Sequence, residues 1–229
     1  GTVMAGHFVR RQEDKKEGTR VKKKNFIVSS ILFLVLLFSM MTASAEGKQD
    51  VRIAVLPLQM ADGVQLGDGV RDKLDTAFQR SVDAAAGSQR SFVTYVPKDE
   101  SMDVYREILN RVEGNDDPAI VLKPLAIVVD ADLVLQPELL AWQQKDYLAL
   151  NQARTQSLMY TASVAAIRVT GYDRKRNKIF TRTETRTYDY EQSNIGEASY
   201  LARKCMDKAL KDAELSVRIR EAAQDIHKK

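Results

Sequence analysis

Histidine, the side chain that serves most acid–base and metal chemistry near neutral pH, occurs only at His7 and His227. Both lie close to the ends of the chain, so a Ser-His-Asp or Cys-His apparatus and a histidine-based zinc site are not expected. Carboxylate chemistry survives that filter. Two close aspartate pairs are Asp116 with Asp117 and Asp130 with Asp132, each at a junction between elements, where aspartate is favoured as a cap or turn former. A paired-acid hydrolase needs its carboxyl groups roughly 5 to 9.5 Å apart, which spacing along a chain does not set. The segment "GVQLGDGV", residues 63–70, stands where a phosphate-cradling loop would stand, but Asp72 occupies the position that needs Gly or Ala after Gly67 and Gly69, and no Gly-Lys-Ser/Thr follows. No catalytic, cofactor-binding or metal-ligating residue is assigned, and no cofactor is expected.

The densest positive cluster is Arg174, Lys175, Arg176 and Lys178, with Arg182 and Arg186 further along the same stretch. These six are the candidate interaction residues, for an anionic surface or a protein partner; charged hairpin tips are also commonly just solvated. Trp142, followed by Gln143, Gln144 and Tyr147, offers a stacking surface or, more simply, a strand-end ring on the rim of the domain. Cys205 is the single cysteine. It lies in the middle of an apolar helical stripe, where a thiol acts as a small buried hydrophobe.

The elements that must position these residues read as α/β (α+β). "VRIAVLPLQM" (Val51 to Met60) is apolar on both faces, as a doubly covered central strand is. Val70, Leu74, Ala77 and Phe78 line one face of a helix. "SFVTYV" is a second strand, stopped by Pro97, and a helix over about 102–112 follows. Asp117 and Pro118 suit the N-cap and first position of another helix. "AIVLKPLAIVV" has helical spacing, but Pro124 in an interior would cost about 3 kcal/mol, so a short or kinked helix is expected there. A third strand runs from Asp132 through "LVLQPELLAW". "MYTASVAAIRVTGYD" and "KIFTRTETRTYDY" form a long antiparallel hairpin around residues 173–178. In its second strand Thr181, Thr183, Thr185 and Thr187 alternate with Arg182, Glu184 and Arg186; the charged row is expected in water, on a solvent-facing sheet surface or on an edge protected from wrong pairing, and the Thr row against other structure. Ala198, Leu201, Ala202, Cys205, Ala209 and Leu210 mark a final helix over about 195–214. A charged tail follows from about residue 215, either fraying or extending that helix. The sum is a mixed sheet of about five strands with helices packed on it.

The leader decides where such a domain works. The apolar run from Phe26 to Met41 is short of the roughly 20 residues a spanning helix needs. Lys22, Lys23 and Lys24 precede it and Ala43-Ser44-Ala45 follows it, the order of a secretory signal peptide over 21–45 with cleavage after Ala45. An inner-membrane anchor formed by residues 26–41 is the alternative. Residues 1–20 read as an extension upstream of a start at Val21, or as a disordered tail. Residues 1–45 carry 8 Lys and Arg against 3 Asp and Glu, leaving 27 against 28 in residues 46–229, a balance of −1. A nucleic-acid binder keeps a basic surplus to displace counterions, so no nucleic-acid partner is expected. Membrane contact is expected through the leader only. Residues 46–229 have the length of one ordinary domain, and with one cysteine they can form no internal disulfide.

Four stretches in this order, "RIAVLPLQ", "ADLVLQPELLAW", "YDRKRNKIF" at a hairpin bend and "ASYLARKCMDKAL", resemble the small α/β domains of bacterial envelope proteins, over about residues 50–214. That group includes the amino-terminal domain of TolB, the curli secretion lipoprotein CsgG and the outer-membrane activators of penicillin-binding proteins. The resemblance implies the Asp173 to Lys178 bend as a shared feature, no catalytic residues, and a role in protein recognition in the periplasm. No cysteine lies just after the apolar run, so the lipid anchor of those families is not implied. The expected function is an exported, non-enzymatic envelope module that binds another envelope protein through a sheet edge or the hairpin. A secreted carboxylate-dependent hydrolase and a cationic surface binder acting through residues 174–178 are the alternatives.

Overall fold

The computed structural model describes residues 50–112, 117–150 and 154–226, all within the unit Glu46–Lys229. The leader with its apolar run 26–41, the cleavage site after Ala45, both histidines and Asp116 lie outside the described residues.

Strand β1 (Val51–Val55) is largely buried because its residues feed two cores. Val51 and Ile53 join one, Ala54 and the following Leu56 the other. Pro57 interrupts the predicted single strand, and the chain resumes as the two-residue β2 (Gln59–Met60). Helix α1 (Val70–Ala86) follows and ends at Gly87, whose φ of 54° is open to glycine at little cost. A 3₁₀ turn over Gly87–Phe92 shortens the second predicted strand to β3 (Val93–Tyr95). Then come α2 (Lys98–Arg111) and α3 (Pro118–Val128). Asp117 caps α3, accepting the Ala119 amide at 2.9 Å, with Pro118 at the first helical position. Pro124 lies inside that helix without ending it. Burying Leu122 and Leu125 completely, at about 1.5–3 kcal/mol each, offsets the lost hydrogen bond.

Three long strands complete the sheet: β4 (Leu133–Leu150), β5 (Ser157–Asp173) and β6 (Lys178–Glu191). The sheet is mixed and six-stranded, ordered β3-β1-β4-β5-β6, with β2 alongside β4. β1 runs parallel to β3 and β4, whereas β5 is antiparallel to both β4 and β6. A 3₁₀ turn over Asn194–Gly196 leads into α4 (Ala198–Asp212). Its predicted stripe, including Cys205, is buried against the sheet. The segment from residue 215, expected as a charged tail that frays or extends the helix, is a separate helix α5 (Leu215–Ile226), with Leu215, Ile219 and Ala223 in the core. Helices α1, α4 and α5 cover one face of the sheet and α2 and α3 the other.

The helix layers are shorter than the strands. At about 3.3 Å per residue, β4 is about 60 Å long, and its buried positions end at Leu139. A bulge between Leu139 and Ala141 swaps the faces of the strand. Trp142 is thereby turned onto the α4 side, partly buried against the core as a rim residue. Beyond it, residues 143–150 of β4 run with the start of β5 and the end of β6 as a three-stranded ribbon.

Candidate functional site

The predicted basic cluster forms the β5–β6 bend, and most of it serves the fold. Asn177 takes a positive φ of 48° there, a conformation asparagine tolerates, and its side chain accepts the Tyr172 hydroxyl at 2.9 Å. The Arg174 guanidinium lies 2.6 Å from Asp130. Lys175 donates to the Glu221 carbonyl at 2.7 Å, and Arg176 grips the Glu221 carboxylate with two hydrogen bonds of 2.9 Å. Lys178 is exposed at the start of β6. Arg182 and Arg186 lie elsewhere, on the sheet face that carries α4. Arg182 donates to the carbonyl of Asp212 at the end of α4 at 3.0 Å, where a cation is favoured by the helix dipole. The charged row of this edge strand is in water as expected, Arg182 and Arg186 being exposed, but the Thr row is exposed as well and does not lie against other structure. Arg182, Glu184 and Arg186 run beside α4, with Lys208 3.7 Å from Glu184, while the Thr row stands exposed on the open face. Long side chains can lay their stems along a helix and still wet their heads, so a charged row tolerates this position.

Hydrogen bonds from Arg176 hold the exposed Glu221 carboxyl below the usual carboxylate range. A depressed carboxyl stabilises the fold above its ordinary titration range and ceases to as pH falls through its lowered value. Glu221→Gln is therefore expected to lower the melting temperature at pH 7, with the gap from the parent closing in acid; parallel melting curves from pH 7 down to 3 check it.

The acidic residues are similarly engaged. The Asp132 carboxylate accepts the Arg52 amide at 2.8 Å, and Asp130 pairs with Arg174. A cleft of 860 Å³ between α1 and the β1–β3 edge contains Asp75 and Asp83. Asp75 accepts the Leu58 amide at 2.6 Å and faces Lys98 at 3.3 Å. Asp83 accepts the Tyr95 hydroxyl at 2.5 Å, which, after burial, raises that phenol far above its usual value. A second cleft, of 680 Å³ near the start of α3, contains Glu138, paired with Arg168 at 3.2 Å, and Tyr105, bonded to Gln136 at 2.9 Å. Among the described residues no group of three or more His, Cys, Asp or Glu is placed to hold a metal ion. Gly63 and Gly69 in the 63–70 loop take positive φ of 82° and 69°, as turn formers do. Burial pushes the Cys205 thiol up to about 11, so little reactive thiolate is present at neutral pH.

The feature that composition did not reveal is the ribbon. On its α4-side face Leu148 stands opposite Met159, Leu150 opposite Ser157 and Tyr190 opposite Thr161. Leu148 is 69% exposed, Leu150 56%, Met159 42% and Tyr190 68%. On the other face Tyr147 and Tyr160 stack at 5.8 Å, and the Tyr147 hydroxyl reaches over β5 to Asp189 at 2.6 Å. These contacts tie three strands together where no helix supports them. The alternation of Leu148 and Leu150 was visible in sequence, but the polar "QQKD" before it reads as the end of a strand. Among the described residues no helix is long and apolar enough to cross a membrane.

No protein-family model matches the chain, and no curated protein matches it in sequence. Solved structures are similar to it at low identity. The PelC dodecamer from Paraburkholderia phytofirmans is 14% identical, with 76% of this chain and 91% of that one covered and a TM-score of 0.42. Lipoprotein GNA1162 from Neisseria meningitidis is 13% identical, with 70% and 99% covered and a TM-score of 0.38. The LpoB C-terminal domain from Salmonella enterica is 13% identical, with 66% and 93% covered and a TM-score of 0.33.

Proposed function

We propose that this chain is an exported, non-enzymatic module of the cell envelope that binds another envelope protein through the uncovered end of its β4–β6 ribbon. One observation carries the reading: large apolar side chains at Leu148, Leu150 and Met159 are exposed together, on a stretch stiffened by cross-strand pairs. Soluble proteins rarely leave such clusters uncovered unless something docks there. The leader read in the sequence supports export. Against a hydrolase, Asp75, Asp83, Asp132 and Glu138 are all committed to amides, a tyrosine hydroxyl or cations of the fold. Against a purely cationic binder, Arg174 and Arg176 face Asp130 and Glu221.

The test is a photo-crosslinking amino acid in place of Leu148, irradiated in intact cells, with Lys123 on α3 as the control position. A discrete adduct with an exported protein is expected from residue 148 and not from 123. Met159→Glu should reduce it at least about tenfold, the loss of one well-buried apolar side chain. Equal labelling from both positions, or an adduct indifferent to Met159→Glu, would remove the ribbon as the docking surface. Intact, unprocessed polypeptide in the cytosol would remove the envelope assignment.

A further inference from the structure

Strand β6 closes the sheet, and among the described residues nothing pairs with its outer edge along 14 residues. Such an edge is a template for another strand. We propose that this edge pairs antiparallel with β6 of a second copy of the chain, about a two-fold axis at Thr185, making one sheet continuous through a dimer.

The charge order along the strand selects that register. An isologous contact places residue i against j and j against i. With the axis at Thr185, Glu184 of each copy meets Arg186 of the other, so two opposite-charge pairs form, and Thr183 meets Thr187 twice. Arg182 meets Tyr188, a cation against an aromatic ring. Tyr190, 68% exposed in the single chain, is set opposite Phe180. Residues 179–191 all take part, nearly the whole strand. A two-residue slip toward the bend puts Glu184 against itself and Arg182 against Arg186, and the opposite slip puts Arg186 against itself. Like charges directly opposed destabilise a sheet pair, so both neighbouring registers are resisted. A slip of four, with the axis at Thr183, restores opposite charges as Arg182 against Glu184, but it ends at residue 188 and drives Tyr190 and Glu191 into the bend. Lys208, 3.7 Å from Glu184 within its own chain, leaves that carboxylate between two cations in the dimer. The contact uses the outer edge of β6 and shares only Tyr190 with the apolar face that carries Leu148, Leu150 and Met159, and it extends the fold by a second protomer.

The protein purified from cells expressing the full chain is examined by sedimentation equilibrium. A dimer is expected. Glu184→Arg and Arg186→Glu should each weaken it at least about tenfold, since two attractive pairs become repulsive, and the double exchange should restore it to within about threefold. Thermal melting of each variant verifies that the body is folded. Independently of those variants, Thr185→Cys should form a disulfide-linked dimer on mild oxidation, because directly opposed residues in an antiparallel pair bring their Cα atoms about 4.5–5.5 Å apart. Thr183→Cys should not, and Cys205, fully buried, should stay silent. A monomeric parent protein, charge reversal without effect, or self-linking at Thr183 in preference to Thr185 would each overturn the proposal.

Discussion

Replacing Asp173 with alanine is expected to lower the stability of the domain by about 3–5 kcal/mol, the usual consequence of leaving one member of a buried ion pair alone. The side chain of Asp173 is only 4% exposed and that of Arg218 only 10%. Asp173 accepts Arg218 at 2.8 Å through one oxygen and the Arg176 amide at 3.0 Å through the other. Arg218 in turn lies 4.3 Å over the Phe180 ring and donates to the Ala213 carbonyl at 2.8 Å. The pair therefore fastens α5 to the end of β5 at the place where the chain turns into β6. Asp173→Asn keeps an acceptor for the Arg176 amide and should cost less. Arg218→Met in the Asp173→Ala background should recover part of the loss, because the uncompensated charge is then gone. Urea unfolding midpoints of the four proteins measure all of this. A loss under about 1 kcal/mol for Asp173→Ala, within the range of exposed pairs, would mean that the bend does not depend on this contact.

That network also shows where sequence reading reached and where it stopped. The hairpin was legible because period-two alternation over more than a dozen residues, with a short polar break, has few other solutions. Helix α4 was legible for the same reason at period 3.6. Helix α5 was not. Leu215, Ile219 and Ala223 have the right spacing, but three apolar residues among many charges decide nothing until a core is there to receive them, and the partner of Glu221 is Arg176, 45 residues away. The basic bend residues were singled out by density of charge, which cannot distinguish a guanidinium facing water from one gripping a carboxylate of a helix not yet recognised. The exposed Thr row of β6 follows likewise from neighbours: α4 lies beside the other face of that edge strand. The exposed ribbon was hidden for a geometric reason, since Leu148 and Met159 have the same pattern as buried strand residues. Only the point at which the helices end makes them surface.

The second large effect concerns Gly171, where two general tendencies oppose one another. A glycine inside a strand is worth about 0.5–1 kcal/mol less than alanine, so Gly→Ala there would ordinarily stabilise. Gly171 is buried in β5 directly opposite Phe180 of β6, whose ring lies flat across it. A Cβ at residue 171 would overlap that ring. The ring has nowhere to retreat, because Arg218 is stacked 4.3 Å from its centre and held there by Asp173. Overpacking a filled site costs about 1–3 kcal/mol, more than the gain in backbone entropy, so Gly171→Ala should destabilise and Gly171→Val should do so more strongly. In a Phe180→Ala background the overlap is absent, and Gly171→Ala should become neutral or stabilising. That reversal of sign, read from urea midpoints across the four-member cycle, separates a steric clash from a simple strand preference. If Gly171→Ala stabilises the parent protein, the ring is free to move, and the lock it forms with Arg218 and Asp173 is looser than these distances imply.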